Sequence, residues 1–195
     1  MCKDTPPLEK AILFHGHICP GLLMGVRAAE FASQHLGVNS AVDEELIALV
    51  ETNSCGVDAI QAILGCTFGK GNLIFKDYGK NVYTIASRKS GRAIRIAQRY
   101  RGQRSPESMR YQELSRRFDL TSQEAAEKEN VLALLFEQIM TQAFEDIFEW
   151  REVELTFPKP ASIYSTVQCA YCGEGVMETR ARKEKQGWCC PVCEP

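Results

Sequence analysis

Residues 44–65 read EELIALVETNSCGVDAIQAILG, and the architecture turns on this stretch. Its first half, EELIALVET, is an apolar run of strand length, suited to a buried strand. Its second half changes period. Ile60, Ile63 and Leu64 share one helical face, and Gly65 stops the helix. Between the two halves, Asn53-Ser54-Cys55-Gly56 is a tight strand-to-helix junction that puts Cys55 at a helix start. The helix dipole and the free N–H groups of a first turn favour a thiolate there.

Upstream, CPGLLMGVRAAEFASQHLG reads as another helix, with Pro20 in its first turn and Gly37 at its end. Cys19 therefore repeats the position of Cys55. Just before it stands Phe14-His15-Gly16-His17-Ile18-Cys19-Pro20-Gly21, which holds two of the chain's 3 histidines. Alternate residues do not share a helix face, so this segment is expected to be a loop or extended turn.

Downstream, NLIFKDYG and NVYTIAS read as strands joined by a turn at Gly79-Lys80. GRAIRIAQRY follows a hairpin turn at Lys89-Ser90-Gly91. Ser105-Pro106-Glu107 opens a helix, and Thr121-Ser122 with Glu124 opens a longer one. The longer helix carries an apolar stripe of Leu132, Leu135, Ile139, Ala143, Phe144 and Ile147. WREVELTF is the last strand, with Val153, Leu155 and Phe157 facing one way, and residues 157–160 read as a linker. The expected class is α+β: a mixed helix and antiparallel-sheet core domain over residues 1–158, followed by a small zinc ribbon over residues 159–195.

The 195 residues carry a net charge of -2, which gives no global attraction to nucleic acid or to an anionic membrane. The start, MCKDTPPLEK, does not read as a signal peptide, and the apolar run near residues 131–136 is too short to span a bilayer. A soluble, cytoplasmic protein is expected. Nine cysteines, an odd number, argue for metal or thiol chemistry over a disulfide framework. Cys2 is expected to stand alone in a tail.

Cys169-Ala-Tyr-Cys172 and Cys190-Pro-Val-Cys193 have zinc-ribbon spacing. Two-residue gaps let both thiolates of each knuckle reach one tetrahedral ion, and four cysteines close its coordination shell, so this zinc is structural. Gly173 supplies the permissive backbone after the first knuckle, and Cys189 is left out of the set. Arg180, Arg182, Lys183 and Lys185 make the ribbon basic, which reads as a solvated hairpin more readily than as a nucleic-acid surface.

If the helix starts at Cys19 and Cys55 converge, two thiols meet near His15 and His17, and Asp58 can add a carboxylate. Two thiolates and an imidazole suit zinc with one open position, and also other late transition metals. Cys66 could join, but it follows the helix stop. The run GCTFGKGN, residues 65–72, is not a phosphate loop: its glycine spacing is one short, and Lys70 precedes glycine. Lys70 is still a candidate to hold an anionic group of a small substrate. Residues 88–117 are basic and 119–154 acidic, a pattern that reads as solvated surface or one side of a subunit contact.

HGHICPG, then SCGVDAIQAILGCTFGKGNL, then a terminal ribbon together resemble the formylmethanofuran dehydrogenase FmdE family over essentially the whole chain. The resemblance implies an α+β core, a His/Cys metal pocket, an appended zinc finger, dimerisation, and association with the molybdenum or tungsten enzyme that reduces carbon dioxide to formylmethanofuran. Position by position, it implies a pocket of His17, Cys19 and Cys55, with His15, Asp58, Gln61 and Lys70 nearby. The sequence offers no pterin-binding domain and no ferredoxin cysteine pattern, so this chain alone is not expected to perform formylmethanofuran chemistry. Two functions follow. One is an enzyme or oxidoreductase component in one-carbon metabolism, with Cys19, Cys55, His17 and Lys70 in the working site. The other is a non-catalytic accessory or regulatory module that docks a protein or nucleic-acid partner through the ribbon.

Overall fold

The computed structural model describes residues 5–193; Cys2 lies outside the described residues. The chain divides into two compact units, one ending at Lys159 and the other beginning at Pro160.

The larger unit is built on a five-stranded sheet in the order β2-β1-β3-β4-β5. Its strands are β1 (Leu46–Val50), β2 (Leu73–Phe75), β3 (Val82–Ser87), β4 (Ala93–Gln98) and β5 (Phe148–Val153). β1 and β2 run parallel, joined across helix α3 (Gly56–Leu64), and the remaining neighbours are antiparallel. Residues 44–65 thus form one arm of a strand–helix–strand crossover. α2 (Pro20–Leu36) packs against α3 and against β3 and β4, burying Leu22, Val26, Ala29 and Ala32 with Ile60, Ile85 and Ile94 in one core.

Glycines set how closely α2 and α3 approach. A methyl group on Gly25 would stand 2.3 Å from the Gly56 carbonyl oxygen and 2.5 Å from its Cα. One on Gly56 would stand 2.2 Å from the Tyr83 hydroxyl. Gly21 and Gly25 lie one helical turn apart on the same face of α2, so the first turn of α3 lies against bare backbone there. This contact brings the two helix starts, and with them Cys19 and Cys55, together.

Several elements differ from the sequence reading. A nine-residue helix, α1 (Pro7–His15), precedes the His/Cys segment, so His15 closes a helix instead of lying in a loop. Gly16, at φ 91°, stops it. β2 covers only three residues of NLIFKDYG. The long apolar stripe is split: α5 (Ser122–Thr141) ends where Gln142 turns extended, and α6 (Phe144–Ile147) follows separately. Within α5 only Leu135 is buried, because the helix packs along one narrow line. β5 stops at Val153, so Leu155 and Phe157 lie beyond it. Arg27 holds the end of α5, donating to the carbonyls of Ile139 and of Gln142, the latter at 2.9 Å. The capping box at Thr121 and Glu124 forms as read, and α4 (Pro106–Ser115) joins α5 through a forked Arg110–Glu127 pair at 2.7 Å.

Asn72 organises the loops around β1 and β2. Its side-chain amide donates to the carbonyls of Leu46 (3.0 Å) and Asp43 (3.1 Å), and its oxygen accepts from the Thr67 N–H at 2.9 Å. The residue is 1% exposed, so each lost partner would leave a buried polar group unsatisfied. Asn72→Ala is expected to lower stability by about 2–4 kcal/mol in urea unfolding. A change under about 0.5 kcal/mol would contradict this role for Asn72.

The smaller unit is two hairpins, β6 (Thr166–Gln168) with β7 (Gly175–Met177) and β8 (Arg182–Glu184) with β9 (Gly187–Cys189). Gly173 turns at φ 75°, in the left-handed region that glycine tolerates, and its N–H donates to the Cys169 carbonyl. Among the described residues no helix is long and apolar enough to cross a membrane.

Candidate metal centre

Among the described residues, two groups of side chains could hold a metal ion. In the smaller unit, the ligand atoms of Cys169, Cys172, Cys190 and Cys193 lie within 4.8 Å of one another. Backbone N–H groups aim at the sulfurs, with the Cys190 N–H 3.4 Å from Cys169 Sγ. Such bonds hold the Cys169 thiol down at about 6, the N–H of Cys172 first among them. Neighbouring sulfurs, Cys190 foremost, push the Cys193 thiol up to about 12. Four crowded thiols that cannot all ionise alone fit a shared cation. Cys189 turns away and donates to the Cys190 carbonyl at 3.5 Å.

In the larger unit, His15, His17 and Cys19 bring their ligand atoms within 4.8 Å of one another. The turn at Gly16 folds the end of α1 onto the start of α2, which brings the two imidazoles together with centroids 4.5 Å apart. His15 Nδ1 meets Asp58 Oδ2 at 2.7 Å. Asp58 is in turn held by Gln61, whose amide donates to Oδ1 at 3.3 Å. In the tautomer that donates its Nδ1–H to Asp58, the His15 Nε2 is left with a free lone pair. That Nε2 lies 3.8 Å from Cys19 Sγ, close to the roughly 3.6 Å expected between nitrogen and sulfur on one tetrahedral zinc. Two imidazoles and a thiol, one imidazole backed by a carboxylate, are a donor set that fits a late transition metal.

The sequence alone puts His15 and Asp58 at the edge of this site; the structure places them at its centre, Asp58 behind His15. The signal is their helical placement, since α1 and α3 pack together. Cys55 lies outside the three-residue group but beside Cys19: a methyl on Gly21 would stand 3.9 Å from Cys55 Sγ and 4.0 Å from Cys19 Sγ. Cys19 accepts the Leu22 N–H at 3.4 Å, as a residue at a helix start should. Burial nevertheless wins, pushing its thiol up to about 11, with the charge of Cys55 adding to the rise. The helix start alone therefore does not make this thiolate, and a bound cation would. Cys66 is fully buried, and burial pushes its thiol up to about 12. Lys70 Nζ donates to the Ala41 carbonyl at 3.0 Å and the Val42 carbonyl at 3.5 Å, which ties it to the loop before β1.

Sequence reasoning missed the cleft beside this group. A cavity of about 980 Å³ is bordered by Pro20 and Gly21, just after Cys19, and by Ser54, just before Cys55. Its lining includes the apolar Met24, Leu135 and Ile139 and the cations Lys80, Arg95, Arg99, Arg101 and Arg104. No Asp or Glu lines it among the described residues.

The FmdE family pattern, described as "FmdE, Molybdenum formylmethanofuran dehydrogenase operon", matches residues 14–156. A "Probable S-adenosyl-L-methionine-binding protein" of Archaeoglobus fulgidus is 34% identical over 194 residues, covering 96% of this chain. The chain spans about half of that relative, 52% of its length. Among solved structures, a tungsten formylmethanofuran dehydrogenase FmdE-like protein from Syntrophus aciditrophicus has the same fold, with a TM-score of 0.62 at 24% identity over 95% of this chain and 89% of that one. The pattern match spans His15, His17 and Cys19, the three residues that could hold a metal in the larger unit, together with Cys55 and Asp58 beside them; it covers most of the chain, and the chain therefore belongs to the FmdE family.

Proposed function

We propose that this protein is a metal-dependent component of one-carbon oxidoreductase chemistry, acting with a molybdenum or tungsten formylmethanofuran dehydrogenase or a related enzyme. In this reading His15, His17 and Cys19 hold a divalent transition metal, zinc in the first instance, with Cys55 beside them. The four ribbon cysteines hold a structural zinc, and the chain works as a homodimer. The observation that carries the reading is the Gln61–Asp58–His15 chain of hydrogen bonds ending 3.8 Å from Cys19 Sγ, next to a cleft large enough for a small molecule.

An ion so held would supply Lewis-acid chemistry, polarising an oxygen of a small substrate. The residues do the rest. Asp58 accepts a hydrogen bond from His15 Nδ1 and fixes the ring. Gly21 and Ser54, each next to the cysteine pair in the fold, form part of the cleft's lining. Ser54 Oγ donates to Asn81 Oδ1 at 3.2 Å, which holds that part of the lining to the sheet. Tyr83, whose hydroxyl burial pushes up to about 12, stays protonated behind it.

Metal analysis of purified protein tests the proposal. Two ions per chain are expected, with Cys19→Ser losing one and Cys172→Ser losing the other. A single ion per chain, lost in Cys172→Ser and retained in Cys19→Ser, would overturn the core site.

A further inference from the structure

We infer that the cleft beside Cys19 and Cys55 is a binding site for a small organic polyanion, a molecule carrying at least two phosphate or carboxylate groups. The inference rests on the proposed function only in taking the metal group as the place where the ligand's other end reacts.

The charge of the lining is the first observation. Of its five cations, Arg95 is paired with Glu51 at 3.0 Å and Arg99 with Glu149 at 2.5 Å. Lys80, Arg101 and Arg104 have no carboxylate partner among the described residues. Arg101 donates to the Asp146 carbonyl at 2.6 Å, and Arg104 donates to the Gln112 side chain. Three uncompensated charges around one concavity, on a chain whose net charge is -2, are a local arrangement and not a reflection of composition.

Placement is the second observation. Lys80 stands between β2 and β3, while Arg101 and Arg104 stand between β4 and α4. The cations therefore reach the cleft from two separate loops, so that a ligand with more than one anionic group can engage both. Guanidinium forks match the planar or tetrahedral oxygens of carboxylate and phosphate. The far wall, Gly21 and Ser54, belongs to the starts of α2 and α3, whose N-terminal dipoles add to the same sign of field. The concavity, about 980 Å³ and lined in part by Met24, Leu135 and Ile139, has the dimensions of a small-molecule site.

Lys70, the cation that the sequence suggests for this task, is tied to carbonyls elsewhere; Lys80, Arg101 and Arg104 take its role. A polyanion held by them places its remaining part along the wall formed by Gly21 and Ser54. A methyl on Gly21 would stand within 4.0 Å of both sulfurs.

Titration calorimetry on the metal-replete chain, both units together, tests this, with inorganic pyrophosphate and citrate as separate probes. At least one is expected to bind with a dissociation constant below about 1 mM, more weakly as salt is raised. The double variant K80Q/R101Q, both positions exposed, is expected to weaken it at least about tenfold while keeping two ions per chain. Preference for pyrophosphate would assign a phosphate ester, and preference for citrate a polycarboxylate. Failure of both probes to bind fully metallated protein would overturn the inference, as would equal binding by K80Q/R101Q or binding of a single-stranded oligonucleotide alone. Anion binding in a chain that holds only the ribbon ion would uphold the cleft and overturn the core metal instead.

Discussion

Asp58→Ala is expected to weaken metal binding in the larger unit about 10–100-fold, measured by chelator competition, and to leave the ribbon ion in place. Asp58 does not need to touch the ion. It accepts a hydrogen bond from His15 Nδ1 at 2.7 Å, which fixes the tautomer and keeps the ring turned toward Cys19. Asp58→Asn keeps an oxygen for the Nδ1 proton but loses the charge, so it should fall between wild type and alanine. Gln61→Ala removes only the 3.3 Å bond behind Asp58 and should have a smaller effect still. Unchanged affinity in Asp58→Ala would place His15 outside the ligand set.

A second large effect is expected at the crossing of α2 and α3. Gly25→Ala puts a methyl 2.3 Å from the Gly56 carbonyl oxygen, and backbone cannot yield as a flexible side chain can. The two helices must separate, and a loss of about 3 kcal/mol or more is expected in urea unfolding. Cys19 and Cys55 part with them, so the remaining folded protein should also bind the core metal more weakly. Gly16→Ala is the control. It has open space around it but a φ of 91°, and about 1 kcal/mol is expected from backbone strain alone. Gly25→Ala unfolding like the wild type would contradict the close approach.

The elements with strong local signals are legible in the sequence. EELIALVET and GVDAIQAILG become β1 and α3 because strand length, helical period and the Gly65 stop agree. The α5 start is legible from its capping box, whose two hydrogen bonds are purely local. α1 is not, since nine residues opening on proline carry little periodicity and the helix depends on packing against α3. The stripe across residues 132–147 misleads for the opposite reason: apolar spacing persists through Gln142, where an extended backbone breaks the helix. In the candidate site, residue types and spacing mark His17, Cys19 and Cys55. The role of Asp58 needs the packing of α1 on α3, which spans 43 positions of sequence. The cationic cleft needs separate segments brought together by the sheet, and no window of sequence contains it.

The metal centre proposed for the larger unit turns on His15, His17 and Cys19 sharing one metal ion. Anomalous diffraction from crystals of the metal-replete chain, both units together, decides this. A peak is expected among His15 Nε2, His17 and Cys19 Sγ, with metal–sulfur and metal–nitrogen distances of about 2.3 Å and 2.0–2.1 Å, in addition to the ribbon peak. A peak at the ribbon alone, with Cys19 and Cys55 joined as a disulfide, would contradict it.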